Sequence, residues 1–415
     1  MKTLSLAHEQ HLAGTRKPRG LDALACRLVL GKLGKLRTGS ITVVDGENRL
    51  CFGERNSGSG LAAELRVLDP TFYSDLAFGG SIGAGEAFMR GAWQCNDLVA
   101  LVRILLRNRQ VLEDMESGTA LLTVPLQKLF HWVNRNSRAG ARRNISAHYD
   151  VGNDFFRLWL DESMMYSCAM FANSGMSLNE AQRHRLDVIC RKLELEPSDH
   201  LVEIGTGWGG FAIHAARHYG CRVTTTTISR EQFNLARKRV AEAGLQDRIE
   251  LRLEDYRDLS GRYDKLVSIE MIEAIGSGQY DTYFRKCADL LKPGGAMLIQ
   301  AITIADQRFD YARRHVDFIQ RYIFPGACLP CVSVMAGSIA RVSEMLVTGI
   351  EDIGRDYALT LNHWRHNFLN QIDRIRNLGY PEPFIRMWLF YLAYCEGGFL
   401  ERAISDVHLM AEKPL

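Results

Sequence analysis

The chain has 415 residues, of which 47% are hydrophobic and 24% charged, the composition of a globular protein and not of a disordered or fibrous one. Its length predicts two domains. No run approaches the roughly 20 apolar residues that a membrane-spanning helix needs. The charged first 20 residues have no apolar stretch, which argues against a secretory signal peptide.

The ten cysteines include one Cys-X-X-Cys pair, Cys328 and Cys331. No second pair stands at the spacing of a zinc ribbon, so we expect reduced thiols and no metal site.

Positive charge is concentrated near the N-terminus, although the net charge of the whole chain is only +3. Residues 1–37 hold eight Lys or Arg against two acids, a net charge of about +6. A second basic cluster consists of Arg135, Arg138, Arg142 and Arg143. Such patches attract nucleic acid or anionic lipid. The alternative, a solvated leader and a linker, remains open at this point.

The first part of the chain predicts a small α+β domain. Apolar spacing predicts a helix over residues 21–36, and residues 41–52 read as a β-hairpin around a turn at 45–48. A strand is expected at 61–68, and Asn96-Asp97 should cap a helix that ends near residue 106. The chain grows polar and Arg-rich over 107–143. We therefore predict a flexible basic leader at 1–20, an N-terminal domain at 21–130 and a second domain at 131–415.

From about residue 200 the pattern changes to strands that alternate with helices. The predicted strands are 201–204, 222–228, 249–253, 265–269 and 296–303. The predicted helices are 209–219, 229–243 with Ser229 as cap, and 279–291. This alternation predicts an α/β fold, a doubly wound, Rossmann-like parallel sheet covered on both faces.

A glycine-rich loop, Glu203-Ile204-Gly205-Thr206-Gly207, follows the first of these strands and opens a helix. Such a loop alone would also suit a nicotinamide dinucleotide, or only a tight turn. However, Glu203 precedes the first glycine by two residues, where a carboxylate can face a cation. The second strand ends in 225–229 with no acid for a dinucleotide ribose. The cationic cofactor S-adenosylmethionine therefore fits better, with Asp255 after the third strand available to an adenine amine.

Longer segments resemble the cyclopropane fatty acid synthases and the related mycolic acid methyltransferases. They are His148-Tyr149-Asp150-Val151-Gly152-Asn153-Asp154-Phe155-Phe156, Met165-Tyr166-Ser167-Cys168, the glycine loop, Thr227-Ile228-Ser229-Arg230-Glu231-Gln232, Asp255-Tyr256-Arg257-Asp258, Ser268-Ile269-Glu270-Met271-Ile272-Glu273 and Phe318-Ile319-Gln320-Arg321-Tyr322-Ile323-Phe324-Pro325-Gly326. The resemblance covers about 140–405 and implies a class I methyltransferase domain. Residues 73–93 resemble the extra N-terminal domain of the bacterial synthases.

The resemblance implies a reaction. Members transfer a methyl group from S-adenosylmethionine to an alkene carbon of an acyl chain, in bacteria within a membrane phospholipid. A proton then leaves the new methyl group and a cyclopropane closes. Bound bicarbonate serves as the base, held by groups that match Cys168, Glu273, Tyr357 and the backbone of Ile302. Since like charges repel, Glu273 would orient the base through a shared proton instead of acting as base itself.

The family pattern also assigns cofactor residues. Tyr166 and Ser167 would lie at the methionine end, with Gly205 and Gly207 beneath it. Thr227 and Gln232 would meet the ribose. Asp255 would meet the adenine amine, and Ile269 would pack on the ring.

Each assignment has a plainer alternative. Cys168 and Tyr357 would then be core residues, and Glu273 a helix cap. A run of aromatic residues and one methionine near the C-terminus has helical spacing. Such spacing is typical of a core, although part of the run could line an acyl tunnel. Its members are Met387, Trp388, Phe390, Tyr391, Tyr394 and Phe399.

Two departures from the family concern the product. Gln300 stands where many relatives have a histidine ligand of bicarbonate, and Ala274 where many have another histidine. Glutamine can donate an amide hydrogen but cannot titrate. The product could therefore be a ring, or a methyl- or methylene-branched chain. A non-catalytic lipid-binding protein on this scaffold is a further alternative, although the intact Glu203, Glu273 and glycine loop argue against it.

A phospholipid substrate implies docking on a membrane. We expect a cytoplasmic enzyme that binds the inner membrane surface reversibly, through its basic patches and with sensitivity to salt. The N-terminal domain would assist lipid capture or form a homodimer. No nucleic-acid partner is expected, because the chain lacks a base-flipping run of the Asn/Asp-Pro-Pro-aromatic type.

Overall fold

The computed structural model describes residues 18–54, 60–111, 113 and 151–415. The chain divides into two compact units, and both are discontinuous. The first comprises 1–130, 317–322 and 369–403, and the second comprises 131–316, 323–368 and 404–415. The sequence-based limits treated 131–415 as one continuous domain. Contacts instead assign 317–322 and 369–403 to the same unit as the N-terminal residues. The basic leader and the Arg135–Arg143 cluster lie almost wholly outside the described residues.

The helices and strands are named in chain order. They are α1 (Leu21–Leu33), β1 (Ser40–Asp45), β2 (Asn48–Gly53), β3 (Ala62–Val67), α2 (Thr71–Met89), β4 (Trp93–Cys95), α3 (Leu98–Arg107), α4 (Asn153–Arg157), α5 (Leu178–Lys192), β5 (His200–Ile204), α6 (Gly210–His218), β6 (Arg222–Thr226), α7 (Arg230–Glu242), β7 (Ile249–Arg252), β8 (Tyr263–Ile269), α8 (Tyr280–Leu290), β9 (Leu291–Ile304), α9 (Asp306–Ala312), α10 (Phe318–Tyr322), α11 (Val332–Val342), β10 (Leu346–Asp352), α12 (Gly354–Asn370), α13 (Ile372–Asn377), α14 (Glu382–Leu400) and β11 (Ile404–Glu412). Within the described ranges, none of these helices is long and apolar enough to cross a membrane.

The first unit contains a four-stranded sheet of order β2-β1-β3-β4. Strands β1 and β2 form the predicted antiparallel hairpin, and β1 pairs with β3 in parallel. The Asp97 side chain accepts a hydrogen bond from the Ala100 N–H (2.9 Å), which confirms the predicted cap of α3. This is the α+β arrangement expected from the sequence.

Helix α14 packs against α2 and α3 in the first unit. Arg386, 7% exposed, donates to the carbonyl oxygens of Phe88 and Trp93, and its guanidinium lies 4.4 Å from the Phe88 ring centroid. The Phe390 ring packs edge-on against the Phe318 ring, with the ring centroids 4.7 Å apart. Several members of the predicted aromatic run thus belong to this core. A role of the run in an acyl tunnel stays a prediction.

The second unit is built on a seven-stranded sheet of order β7-β6-β5-β8-β9-β11-β10. Strands β5 to β9 are parallel, as predicted, whereas β11 runs antiparallel to both β9 and β10. A strand directly before Tyr357 was expected and is β10, whereas the sequence pattern did not reveal β11. Strands β6 and β7 extend the sheet on one side of β5, and β8 and β9 extend it on the other side. The strand order therefore reverses between β5 and β8. In open α/β sheets, ligands bind at the carboxyl ends of the strands beside such a reversal.

Candidate active site

The glycine loop turns directly after β5. Gly205, Gly207 and Gly209 have φ angles of 106°, 51° and 84°, in the left-handed region that glycine adopts without strain. A Cβ atom built on Gly205 would lie 3.4 Å from Met271, whereas one on Gly207 would meet nothing within 4 Å. The loop therefore presents bare backbone to an open space beside the end of β8.

Glu203, at the carboxyl end of β5, is only 2% exposed. Its carboxyl accepts a hydrogen bond from the Thr225 hydroxyl (2.6 Å), and Thr225 also contacts the Thr206 hydroxyl (2.7 Å). Burial raises the pKa of Glu203 to about 8. A nearby cation would favour the ionised form. A buried acid of this kind would be stabilised in its ionised form by a positively charged ligand, and the role of Glu203 in holding one stays a prediction.

The residues expected at the ribose and adenine lie at the ends of neighbouring strands. The Thr227 hydroxyl donates to Gln232 Oε1 (2.9 Å), and Ser229 caps α7 by accepting from the Gln232 N–H (3.2 Å). Asp255 accepts from the Arg257 backbone N–H (3.0 Å) and forms an ion pair with its guanidinium (2.6 Å). Because β6 pairs in parallel with β5, and β7 pairs in parallel with β6, these side chains share the edge of the glycine loop. Ile269 ends β8 at the same edge.

Ser167 and Tyr166 precede Cys168. The Ser167 Oγ is buried and has no hydrogen-bond partner among the residues that the structure describes. A polar ligand would satisfy this orphaned hydroxyl. Together with the open space over Gly207 and the buried acid at 203, it shows that the residues present fit S-adenosylmethionine.

Tyr166 belongs to an aromatic cluster. Its ring centroid lies 5.4 Å from that of Trp364, 5.5 Å from Trp159 and 6.2 Å from Phe324. Tyr357 packs edge-on against Trp364 at 6.0 Å. Aromatic faces stabilise cations, and an apolar wall excludes water.

Glu270, directly after β8, is the acceptor at which three predicted groups meet. Its Oε1 accepts from the Cys168 backbone N–H (2.7 Å) and from the Gln300 amide (2.8 Å), and its Oε2 accepts from the Tyr357 hydroxyl (2.7 Å). These are three of the residues that the family resemblance assigned to bicarbonate. Sequence reasoning did not single out Glu270, although it lies in the quoted segment 268–273.

Gln300 links this carboxylate to a buried network. Its amide nitrogen donates to Glu270 and to Asp406 (2.8 Å), and its oxygen accepts from Arg185 (3.1 Å) and lies 3.3 Å from His408 Nε2. Gln300, Arg185, Asp406 and His408 are all fully buried. The carboxyl groups of Glu270 and Asp406 lie beside the amide nitrogen, and Arg185 and His408 lie beside the amide oxygen. These neighbours fix the orientation of the amide.

Glu273 has a different environment. One of its carboxylate oxygens accepts from the Ile302 backbone N–H, and the other is buried with no hydrogen bond to the described residues. Burial, aided by the Glu270 charge, raises the pKa of Glu273 to about 8. Glu273 therefore holds a proton at neutral pH. Glu273 and the Ile302 backbone, both predicted to hold bicarbonate, thus contact each other directly.

The Cys168 thiol donates to the Ala169 carbonyl oxygen (3.1 Å), so the contact with Glu270 comes from its backbone. Burial raises the pKa of the thiol well above its ordinary value. A thiol contact with a bound anion stays a prediction.

Arg185, Asp406 and His408 were missed along with Glu270. They come from α5 and β11, far apart in the sequence. The one local signal was a second acid at the end of a parallel strand, three residues before Glu273.

Comparisons with known proteins identify the family to which the chain belongs. Residues 136–409 match the family described as mycolic acid cyclopropane synthetase. The chain is 39% identical over 329 residues to the tuberculostearic acid methyltransferase UfaA1 of Mycobacterium tuberculosis. The aligned region covers 77% of this chain and 76% of that protein. It is 37% identical over 346 residues to the cyclopropane-fatty-acyl-phospholipid synthase of Escherichia coli K12, with 83% and 86% covered.

Among solved structures, the mycolic acid cyclopropane synthase CmaA1 complexed with SAH and CTAB superposes with a TM-score of 0.62 at 30% identity, over 66% of this chain and 98% of that one. This likeness confirms the predicted Rossmann-like methyltransferase fold. The chain therefore belongs to the mycolic acid cyclopropane synthetase family and is an S-adenosylmethionine-dependent methyltransferase of that family.

Proposed function

We propose that this enzyme transfers a methyl group from S-adenosylmethionine to the cis double bond of an unsaturated acyl chain in a membrane phospholipid, and that proton loss then closes a cyclopropane. The observation that carries the proposal is the acceptor site where Cys168, Gln300 and Tyr357 converge, next to the aromatic cluster. The name of the Escherichia coli relative supports the substrate class.

Bound S-adenosylmethionine supplies an electrophilic methyl group on a sulfonium. An alkene is a weak nucleophile, so the glycine loop and Glu203 would have to hold the cofactor in line with it. Such alignment can contribute roughly 7–11 kcal/mol. The faces of Tyr166 and Trp364 would stabilise the carbocation-like centre and keep water from it.

A base must then remove one proton from the new methyl group. The family resemblance implies bicarbonate, held by Cys168, Glu273, Tyr357, Gln300 and the Ile302 backbone. The other candidate is a carboxylate of the chain. In either case the electron pair of the broken C–H bond closes the ring.

A second candidate product is a branched chain. It is favoured by a relative named tuberculostearic acid methyltransferase, at 39% identity, and by one named probable fatty acid methyltransferase, at 40%. Gln300 in place of the histidine also favours it. If the cation moves to the carbon that bears the methyl group, the same proton loss gives a methylene branch, an isomer of the ring. A saturated methyl branch would need two further hydrogens from a reductant.

Product analysis tests the proposal. Purified enzyme, S-adenosylmethionine and vesicles of cis-unsaturated anionic phospholipid are incubated, and the acyl chains are examined by mass spectrometry and NMR. A gain of one CH2 with cyclopropyl proton signals is expected. An olefinic methylene signal would establish the branched alternative, and no mass gain on any unsaturated lipid would reject acyl methylation.

We also propose that helix α1 helps to dock the enzyme on the cytoplasmic surface of the membrane. Leu21, Leu24 and Leu28 stand one helical turn apart on one face and are 70%, 51% and 46% exposed. Exposed Arg27 lies on the same helix, within the basic first 37 residues. An apolar stripe flanked by positive charge is complementary to an anionic bilayer. Dimer formation is the other role open to this part of the chain.

A further inference from the structure

We propose that Glu270 is itself the proton acceptor, a carboxylate built into the chain that occupies the place of bicarbonate. The inference rests on the proposed function and names the base of that reaction. The enzyme would then turn over without bicarbonate.

The hydrogen-bond donors at this site are already used. The Cys168 backbone N–H and the Tyr357 hydroxyl each have one hydrogen, and both are directed at Glu270. The two amide hydrogens of Gln300 go to Glu270 and Asp406. A bicarbonate ion placed among these groups would find no hydrogen left to accept from them. It would also meet the negative charge of Glu270 at close range, which is unfavourable.

The surrounding charges favour one carboxylate here. Arg185 is fully buried and its positive charge acts on Glu270. Burial and the Glu270 charge raise the pKa of Asp406 well above its ordinary value, which favours the protonated form of Asp406. Burial and the Lys192 charge lower the pKa of His408, which is therefore neutral. One cation thus balances one anion, and three donors select Glu270 as the ionised group.

Desolvation raises the pKa of Glu270 itself, opposed first by the Tyr357 and Cys168 hydrogen bonds and then by Arg185. A carboxylate whose pKa is moved towards neutrality is a better proton acceptor than an ordinary glutamate.

The backbone of Glu270 adds an independent observation. Its φ angle of 47° lies in the left-handed region, where a non-glycine residue costs of order 1–3 kcal/mol. Glycine would adopt this conformation without strain. A side chain kept at such a position is typical of a functional role. A glycine variant removes the strain, and we expect it to fold normally.

The step balances without another reactant. The methyl carbon leaves sulfur, whose bonding electrons stay on S-adenosylhomocysteine, and bonds to the alkene carbon. Glu270 then takes one proton from that methyl group, and the C–H electrons close the ring or form the methylene bond. Neutral Glu270 returns its proton to solvent before the next turnover.

The test compares wild type, Glu270→Gln and Glu270→Gly in CO2-free buffer, with and without added bicarbonate, on the same phospholipid vesicles. We expect wild-type turnover to change less than about twofold with bicarbonate, and Glu270→Gln to lose at least about 10²-fold, the usual contribution of a general base. S-adenosylmethionine affinity, measured by calorimetry, should stay the same in both variants. In Glu270→Gly, freed donors should bind added bicarbonate or formate and restore part of the turnover.

Wild-type turnover that depends on bicarbonate, together with an active Glu270→Gln variant, would overturn the inference while leaving the proposed function intact. Absence of any product from wild type, with and without bicarbonate, would instead reject the proposed function. If Glu270→Gln binds no cofactor, the glycine variant decides: recovery by formate supports the inference, and full activity without an added anion contradicts it.

Discussion

Two polar clusters lie along the same edge of the central sheet, and they are built for opposite charges. Around Glu203, at the ends of β5 and β6, the buried acid receives a threonine hydroxyl, and burial raises its pKa to about 8. Around Glu270, at the ends of β8 and β9, the acid receives three hydrogen bonds and faces Arg185. The first cluster gains from an arriving cation, whereas the second already holds an anion. On our proposal, this division separates cofactor binding from proton removal.

Replacement of Glu203 or Glu270 by glutamine should have the largest effects and should separate the two clusters most clearly. Glu270→Gln is expected to lower kcat at least about 10²-fold and leave the Kd of S-adenosylmethionine unchanged. Glu203→Gln should mainly weaken cofactor binding. Steady-state rates and calorimetry on both variants check this, and equal effects on kcat and Kd in the two variants would abolish the distinction.

The Tyr357 hydroxyl should contribute the next largest effect. Tyr357→Phe removes one hydrogen bond to a charged acceptor, which is worth about 1.5–3 kcal/mol, or roughly 10–100-fold in rate. The rate should fall without loss of cofactor affinity. Tyr280→Phe, which removes a buried hydroxyl that donates to the Cys328 carbonyl, is the matched control and should have less effect on kcat. A larger effect of the control would contradict the role of Tyr357.

The pH dependence of cofactor binding sharpens the contrast. Glu203 has a pKa near 8 in the free enzyme and must ionise to meet a cation, so binding should release a proton. Below that pKa the affinity should rise with pH, by about tenfold between pH 6 and pH 7. Calorimetry in buffers of different ionisation enthalpy measures the released proton. The slope should disappear in Glu203→Gln, and a slope that persists there would assign the proton to another group.

Membrane binding tests the first unit separately. Leu24→Gln removes one exposed leucine from α1 and should weaken binding to anionic vesicles by about tenfold, since a buried leucine side chain contributes about 1.5–3 kcal/mol. Leu378→Gln, at a leucine 47% exposed elsewhere in that unit, should change little. Sedimentation with vesicles at low and high salt gives both numbers. Equal losses in the two variants, or binding indifferent to anionic lipid, would reject docking through α1.

Glu273→Gln should have the smallest effect on chemistry. Glu273 is protonated at neutral pH and accepts one backbone hydrogen bond, and glutamine can accept the same bond. We expect a rate loss of less than about fivefold, because no charge is removed. A loss as large as that of Glu270→Gln would show that Glu273 takes part in proton removal.

The sequence predicted the geometry of the Glu203 cluster far better than that of the Glu270 cluster, for a physical reason. The glycine loop, Glu203 and the cap at Ser229 lie in short segments whose conformation follows from local backbone preferences. The Glu270 cluster depends on the pairing of β9 with β11, which places Gln300 opposite His408 and Ile302 opposite Asp406. That pairing joins residues more than 100 positions apart, and β11 gave no recognisable signal.

The most direct test of the account follows the fate of the transferred methyl group. The enzyme is supplied with S-adenosylmethionine that carries a fully deuterated methyl group, and the phospholipid product is analysed by mass spectrometry. Because a base in the site removes one hydrogen from that methyl group, the account predicts a product that retains two of the three deuterium atoms. A product that retains all three would contradict it, since the proton would then have left from elsewhere or not at all.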